Sequence, residues 1–188
     1  MAICRKDSAG MATAEKAGVS DQIRFMLCDG LADCPPDEID SIVIAGMGGD
    51  TICGILDRAE WCMSPDYLLI LQPMTKAEVL RFWLVNNGFL IEREELVADG
   101  GSIYQILTAR FCDQNTRLSD AELYLGEFSK IKDHPLFPDY LRQQRSRFQT
   151  RIHGLLSGER KETGQLQLLQ QILSEMDAME EKTHDKSL

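Results

Sequence analysis

Apolar runs of strand length alternate with stretches of helical spacing over the first 112 residues. The runs predict strands near 22–28, 41–45 and 67–72. Helix-compatible segments separate them, which favours a largely parallel sheet with crossover helices. Residues 1–112 are therefore predicted to form an α/β domain. Its predicted helices are Ala12–Ala17, Thr51–Arg58 and a third that begins with a capping box at Thr75–Glu78 and ends at Asn87-Gly88.

An antiparallel hairpin is predicted at the end of this sheet. Phe89–Val97 and Ile103–Phe111 are two β-like runs, and the turn sequence Asp99-Gly100-Gly101 lies between them. We place a boundary in the polar segment that follows, near 113–119. The sequence thus predicts two domains, 1–112 and 113–188.

The period changes to that of helices after the boundary. Ser119–Glu122 has the spacing of a second capping box. Two apolar seams with nearly heptad spacing follow, joined by a polar link at Ser157–Gly164, and they predict an antiparallel coiled-coil hairpin. The first seam is Leu141, Phe148, Ile152 and Leu155, and the second is Leu166, Leu169, Leu173 and Met176.

Composition disfavours a membrane protein and a metal-binding protein. A chain of 188 residues with 44% hydrophobic content can bury a substantial core. It contains no apolar run long enough to span a membrane, so we expect no membrane partner. The six cysteines form no C-x-x-C pair, and no histidine lies at a ligand spacing from them, so no metal site is predicted. Reduced, mostly buried thiols are typical of a cytoplasmic protein.

Positive charge is concentrated in the first seam helix. Residues 139–161 carry six positive and two negative side chains, although the whole chain has a net charge of −10. A solvated helix face is one interpretation, and contact with a nucleic-acid backbone is the other. The candidate RNA-binding residues are Arg142, Arg145, Arg147 and Arg151.

Flexible or polar residues follow each predicted strand of the first domain. Ile42–Ala45 leads into Gly46-Met47-Gly48-Gly49, and Leu68–Leu71 leads into Gln72-Pro73. The first strand is followed by Asp29-Gly30. In open α/β sheets ligands bind beyond the carboxyl ends of strands, and glycine allows the backbone to approach them closely. One glycine turn is as often structural as functional, but three such ends together predict a nucleotide-type pocket.

These segments, in this order, resemble the tRNA (adenine-22-N1)-methyltransferases. The similarity extends from about Met11 to about Met179. It implies a Rossmann-like domain that uses S-adenosylmethionine (SAM), followed by a helical domain, with tRNA as the partner. The matching segments are Asp29–Leu31, Ile44–Gly49, Leu69–Pro73, Arg81–Leu84, Asn87–Phe89, Ile103-Tyr104 and His134–Phe137.

The resemblance also implies roles for particular residues. Asp29, with the Gly30 and Leu31 backbone, would bind the adenine of SAM, and Ala45 and Gly46 would lie beside the cofactor. The catalytic residues would be Gly46, Met47, Gly48, Gly49, Gln72 and Pro73, which position the target base. Positioning supplies most of the catalysis, because adenine N1 has an in-plane lone pair that attacks the methyl group directly. No metal is required.

Two departures from the family pattern change what we expect of this chain. Met74 stands where the family usually has asparagine. The residues before Met11 contain no G-x-G and are too few for the family's first two βα units. We therefore expect an N-terminally truncated sheet, with an unpaired strand near 22–28 and an exposed edge at 41–45. The truncated chain is expected to bind the cofactor weakly or not at all and to have little activity.

These expectations leave two functions open and disfavour a third. The first is transfer of a methyl group to N1 of an adenine in tRNA. The alternative is a catalytically inactive tRNA-binding or helical interaction module. A nicotinamide-dependent oxidoreductase is disfavoured because the G-x-G-x-x-G fingerprint is absent. The sequence leaves the oligomeric state open.

Overall fold

The computed structural model describes residues 2–3, 8–26, 28–114, 116–157 and 163–184. Within these ranges the chain forms six strands and seven α-helices. The strands are β1 (Ala2–Ile3), β2 (Arg24–Phe25), β3 (Ser41–Gly48), β4 (Leu68–Thr75), β5 (Phe89–Asp99) and β6 (Ser102–Phe111). The helices are α1 (Ser8–Lys16), α2 (Gly49–Asp57), α3 (Ala77–Asn86), α4 (Asp120–Leu125), α5 (Phe128–Ile131), α6 (Phe137–Ser157) and α7 (Thr163–His184).

Four strands form the main sheet, in the order β3-β4-β6-β5. β3 and β4 are parallel, whereas β6 is antiparallel to both of its neighbours. The expectation of a largely parallel sheet is therefore wrong, because β6 inserts between β4 and β5. The terminal hairpin is confirmed. Gly100 and Gly101 both have positive φ in its tight turn, as a two-residue hairpin turn requires.

Two short strands form a separate parallel pair. Ala2 pairs with Arg24, and Ile3 pairs with Phe25. This corrects the expectation of an unpaired strand at 22–28, since the described strand has only two residues and has a partner. Leu27 lies outside the described residues. In the main sheet β3 has β4 as its one neighbour among the described strands, so the expected edge at 41–45 is confirmed.

One face of the main sheet is covered by α2 and α3. Alternate residues of β3, β4 and β6 point into this core, as the period of two in a strand requires. Helix α2 contributes Ile52 and Leu56, and α3 contributes Leu80 and Leu84, all four fully buried. The sheet residues of this core are Ile42, Ile44, Leu69, Leu71, Leu107 and Ala109.

The helices after the sheet form a second core. Phe137, Tyr140 and Leu169 are among its most buried members, and Leu96 joins it from β5. Arg145, near the start of α6, pairs with Asp177 and Glu180 near the end of α7, so the two helices run antiparallel. The antiparallel arrangement was predicted, and supercoiling of the pair stays a prediction. Arg160, Lys161 and most of the predicted polar link lie outside the described residues.

The two predicted capping boxes have different outcomes. At the start of α4, the Ser119 hydroxyl accepts from the Glu122 amide, and the Glu122 carboxylate accepts from the Ser119 amide. At the start of α3 the box predicted at Thr75–Glu78 is wrong. Thr75 is the last residue of β4, and Lys76 occupies the N-cap position with φ 55°, without a hydrogen bond from its side chain to the first turn of the helix.

Candidate active site

The parallel pairing of β3 and β4 brings two predicted site segments together. Ala45 pairs with Gln72, and Met47 pairs with Pro73, across an irregular register. The strands end at the same edge of the sheet because they are parallel. The predicted catalytic residues Gly46–Gly49 and Gln72-Pro73 are therefore neighbours, as the sequence analysis expected.

Gly46 is held in a conformation that favours glycine. Its φ is 76°, and a Cβ at this position would meet nothing within 4 Å. Its amide donates to Gln72 Oε1 over 2.9 Å, and Gln72 Nε2 lies 3.4 Å from Met74 Sδ. The positive φ favours glycine at this position. Crowding does not, because the space beside the residue is open. The Gln72 amide ties the two strand ends together.

Gly49 begins α2 against the backbone that precedes α3. A Cβ on Gly49 would lie 2.1 Å from the Lys76 carbonyl oxygen, so no other residue fits without movement. The Asp50 carboxylate pairs with the Lys76 ammonium, and this hydrogen bond raises the pKa of Lys76. These contacts fix the glycine turn to the segment after β4.

The predicted cofactor segment Asp29–Leu31 lies against α2. Gly30 has φ 62°, and a Cβ on it would approach Ile55 Cγ2 to 2.9 Å. Leu31 packs on the core of the sheet. The exposed Asp29 carboxylate accepts from Arg58 Nη2 over 3.3 Å. Arg58 is not predicted from the sequence, because a basic residue after a helix gives no signal of its distant partner.

A cleft of about 270 Å³ separates the sheet from the helices that follow it. Gln105 of β6 is buried on its wall, at 7% exposure. The sequence contains a signal for this residue, because it is a polar residue in phase with buried Leu107 and Ala109. We call this the β6–α6 cleft, and the residues that line it are Pro73–Glu78, Ser102–Gln105, Tyr124, Gln144 and Arg147.

A buried ion pair holds the wall of this cleft in place. Arg81 and Glu94 are buried on α3 and β5, and Arg81 Nη2 donates to Glu94 Oε2 over 2.5 Å. Arg81 Nη1 also donates to the carbonyl oxygens of Leu123 and Tyr124, at 2.8 and 3.3 Å. The hydroxyl of Tyr140, whose pKa is raised by burial, donates to the same Tyr124 oxygen. Tyr124 is thus fixed relative to the sheet.

The four predicted RNA-binding arginines have different surroundings. Arg142 pairs with Asp139 in the preceding turn of α6. Arg145 pairs with Asp177 and Glu180, and Arg151 hydrogen-bonds the Tyr124 hydroxyl. Arg147 is exposed at the β6–α6 cleft and has no ion pair or hydrogen bond within the described part of the chain. The four guanidinium groups therefore differ in their contacts, and three of them have a partner within the protein.

The described residues contain no candidate metal site and no candidate membrane span. Within the described ranges, no group of three His, Cys, Asp or Glu side chains could hold a metal ion. None of the helices in those ranges is both long and apolar enough to cross a bilayer.

Comparison with known proteins adds an independent result. The family model described as tRNA (adenine(22)-N(1))-methyltransferase matches residues 8–179 of this chain. A protein of that name from Bacillus subtilis (strain 168) is 32% identical over 112 residues, which is 60% of this chain and 47% of that protein. The chain thus spans about half the length of this curated relative.

Solved structures show the same fold. The structure of the B. subtilis m1A22 tRNA methyltransferase TrmK covers 94% of this chain, at 25% identity and a TM-score of 0.72. The alignment covers 78% of that protein. M. capricolum TrmK, solved with S-adenosylhomocysteine, covers 97% of this chain at 20% identity and a TM-score of 0.69. That alignment covers 79% of the M. capricolum protein. The chain therefore has a Rossmann-like methyltransferase fold.

Proposed function

Because this chain belongs to the tRNA (adenine(22)-N(1))-methyltransferase family, we propose that it transfers a methyl group from SAM to N1 of an adenine in tRNA. One observation carries the proposal. The glycine turn Gly46–Gly49 and the pair Gln72-Pro73 meet at the carboxyl edge of two parallel strands, which is where α/β sheets bind their ligands.

The residues of the edge suit a base that must be positioned rather than activated. When bound, SAM would supply an electrophilic methyl group, with the N1–methyl bond of adenine forming as the sulfur–methyl bond breaks and S-adenosylhomocysteine leaves. No covalent enzyme intermediate is needed. Carbonyl oxygens of Gly46–Gly49 can accept from the exocyclic amine of the base, and Pro73 forms a rigid wall beside it. The product base is cationic, and Asp50 lies near enough to the turn to stabilise that charge.

The target adenine has to be unpaired. N1 lies on the Watson–Crick edge, so the base leaves its stack before it reaches the strand ends. The open space beside Gly46, where a Cβ would meet nothing within 4 Å, allows a ligand to approach the backbone. The 45–49 segment therefore contacts both the base and the methyl donor.

The cofactor site is proposed at Asp29, Gly30, Leu31, Ala45 and Gly46. The Asp29 carboxylate is 83% exposed and shares one oxygen with Arg58, so its other oxygen can accept from the amine of the SAM adenine. The proposed arrangement places residues 1–112 as the catalytic domain. Residues 113–188, with an α6–α7 pair of coiled-coil type, form the tRNA-binding domain. A function on tRNA implies a cytoplasmic location.

The test is methyl transfer from labelled SAM to a tRNA transcript. Gly46→Ala is the informative variant, and Gly100→Ala is its matched control. Both glycines have positive φ and open space for a Cβ, so the two variants suffer the same backbone strain. We expect Gly46→Ala to abolish transfer and Gly100→Ala to retain it. A transcript with guanine at the target position should accept no methyl group.

The outcomes separate the two functions that the sequence left open. Titration calorimetry of the folded chain with SAM tests cofactor binding directly. A folded chain that binds tRNA but neither binds SAM nor transfers methyl groups would contradict the proposal. That result would favour the inactive tRNA-binding module.

A further inference from the structure

Gln105 brings a side-chain amide to the β6–α6 cleft. The residue is 7% exposed and lines the cleft, and within the described part of the chain its side chain has no hydrogen bond. Its amide nitrogen and oxygen are not among the buried polar atoms that lack a partner, so both are accessible to solvent. The amide offers both a donor and an acceptor to whatever enters the cleft.

Tyr124 gives the cleft an aromatic surface. Tyr124 is held edge-to-face against Phe148, with ring centroids 5.1 Å apart, and its backbone oxygen is held by Arg81. Tyr104 also borders the cleft, but its ring lies on the opposite face of β6 from the Gln105 side chain, because side chains alternate along a strand. A fixed aromatic ring such as that of Tyr124 suits the stacking of a single base, which contributes about 1–3 kcal/mol in single-stranded nucleic-acid sites.

The cleft has a negatively charged side chain on its wall and a positively charged side chain at its exposed side. The Glu78 carboxylate on the wall repels a phosphate and can accept from an exocyclic amine. Arg147, exposed at the cleft, has no partner among the described residues and can bind a phosphate. The other three candidate arginines are already engaged, so Arg147 is the member of the set that is ready for a ligand.

The cleft is continuous with the proposed methyl-transfer site. Pro73 lies beside the glycine turn and also lines the cleft. Its volume of about 270 Å³ is just below the range of about 300–1,000 Å³ that is typical of small-molecule sites. A single base fits a site of this size.

We propose that the β6–α6 cleft binds the nucleotide adjacent to the target adenine. Its base stacks on Tyr124 and hydrogen-bonds Gln105, and its phosphate contacts Arg147. This inference rests on the proposed function, since it takes tRNA as the substrate. It assigns sequence selectivity for the neighbouring base to Gln105 and Glu78.

The test is a double-mutant cycle between protein and RNA. Fluorescence anisotropy measures the Kd of tRNA transcripts that lack the base immediately 5′ or 3′ of the target adenine. We expect removal of one of these bases to weaken binding to the unmodified chain about tenfold. Gln105→Met keeps the side-chain volume and removes the hydrogen bonds, so it should respond much less to that removal. Gln149→Met, at an exposed position of α6 that does not line the cleft, is the control.

A second measurement tests the phosphate contact. Arg147→Gln should lower the slope of log Kd against log salt concentration by about 1, which is the change expected for the loss of one phosphate contact. Arg93→Gln, which removes one exposed charge that is paired with Glu95, should leave the slope unchanged. Should Gln105→Met not fold, Glu78→Leu, which removes the other group that is assigned to base selectivity, replaces it in the cycle.

The results distinguish this inference from the proposed function. If removing the neighbouring base weakens tRNA binding equally in the unmodified chain and in Gln105→Met, the cleft assignment is overturned, even if the intact transcript is methylated. A smaller loss of affinity in Gln105→Met than in the unmodified chain would support the assignment, even in a chain that transfers no methyl group. Absence of any tRNA binding would overturn both.

Discussion

Two glycines of α2, five residues apart, meet opposite steric conditions. A Cβ on Gly49 would collide with the Lys76 carbonyl oxygen at 2.1 Å, whereas a Cβ on Gly54 would lie 3.7 Å from Arg58 Nη1. We expect Gly49→Ala to destabilise the fold by about 1–3 kcal/mol through overpacking. Gly54→Ala should stabilise it by about 0.5–1 kcal/mol, because alanine is the better helix former.

Urea unfolding of both variants checks this prediction. Equal stabilities for Gly49→Ala and the unmodified chain would mean that the turn moves away from Lys76 at little cost. The sequence predicted that Gly46–Gly49 would meet Gln72-Pro73, because strand ends are visible in the apolar pattern. It did not predict the contact between Gly49 and Lys76, which depends on how two helices start.

The link between the sheet and the later helices depends on one buried ion pair. Arg81 and Glu94 hold the Leu123 and Tyr124 carbonyl oxygens and, through Glu94 Oε1, the Glu127 amide. Removing one partner leaves a buried charge, so we expect Arg81→Met or Glu94→Met to cost about 3–5 kcal/mol. The double variant Arg81→Met/Glu94→Met should lose less than the sum of the two single variants. Thermal unfolding of all three, compared with the unmodified chain, measures the coupling, and simple additivity would contradict it.

Helix caps provide a second prediction for the secondary-structure elements. Ser119 caps α4, whereas Thr75 makes no cap because β4 continues through it. Ser119→Ala should therefore destabilise the protein by about 1 kcal/mol. Thr75→Ala should change the stability by less than about 0.5 kcal/mol, as most surface substitutions do. A loss at Thr75 as large as that at Ser119 would mean that the predicted box forms in solution. Urea midpoints distinguish these cases.

The same pair of sites shows where sequence reasoning succeeds. The box at Ser119–Glu122 lies between a loop and a helix, so local chemistry decides its structure. At Thr75–Glu78 the pairing of Gly48 with Thr75 extends the strand and overrides the local preference. For the same reason the alternation of strands was predicted, but the insertion of β6 between β4 and β5 was not. Such an insertion depends on contacts between residues far apart in the chain.

Two buried thiols influence the pH dependence of the whole molecule. Burial raises the pKa of Cys53 to about 11, with a further contribution from Asp57 and Asp50, and burial also raises the pKa of Cys62 to about 11. Both thiols bind their protons more tightly in the folded state than in the unfolded state. Their contribution to stability is therefore complete below pH 9.0, the unfolded value, and is lost as the pH rises towards 11.

The expected loss is about 1.4 kcal/mol per pH unit for each thiol in this range. Urea unfolding at pH 8 and pH 10 measures it, and Cys53→Ala/Cys62→Ala is the comparison. The double variant should be less stable at pH 8 because it has cavities, yet its stability should depend less on pH. Parallel curves for the two proteins would show that the thiols do not cause the alkaline loss.

The strand order also determines when each strand of the sheet can pair during synthesis. β4 is complete when Thr75 leaves the ribosome, and β3 is by then available as its parallel neighbour. Its other neighbour, β6, is the last strand of the sheet to be made, and β5 reaches the sheet only through β6. One side of a hydrophobic strand therefore waits unpaired until Phe111 has emerged. The hairpin β5–β6 is local and closes quickly, so the sheet is completed by docking a preformed hairpin onto β4.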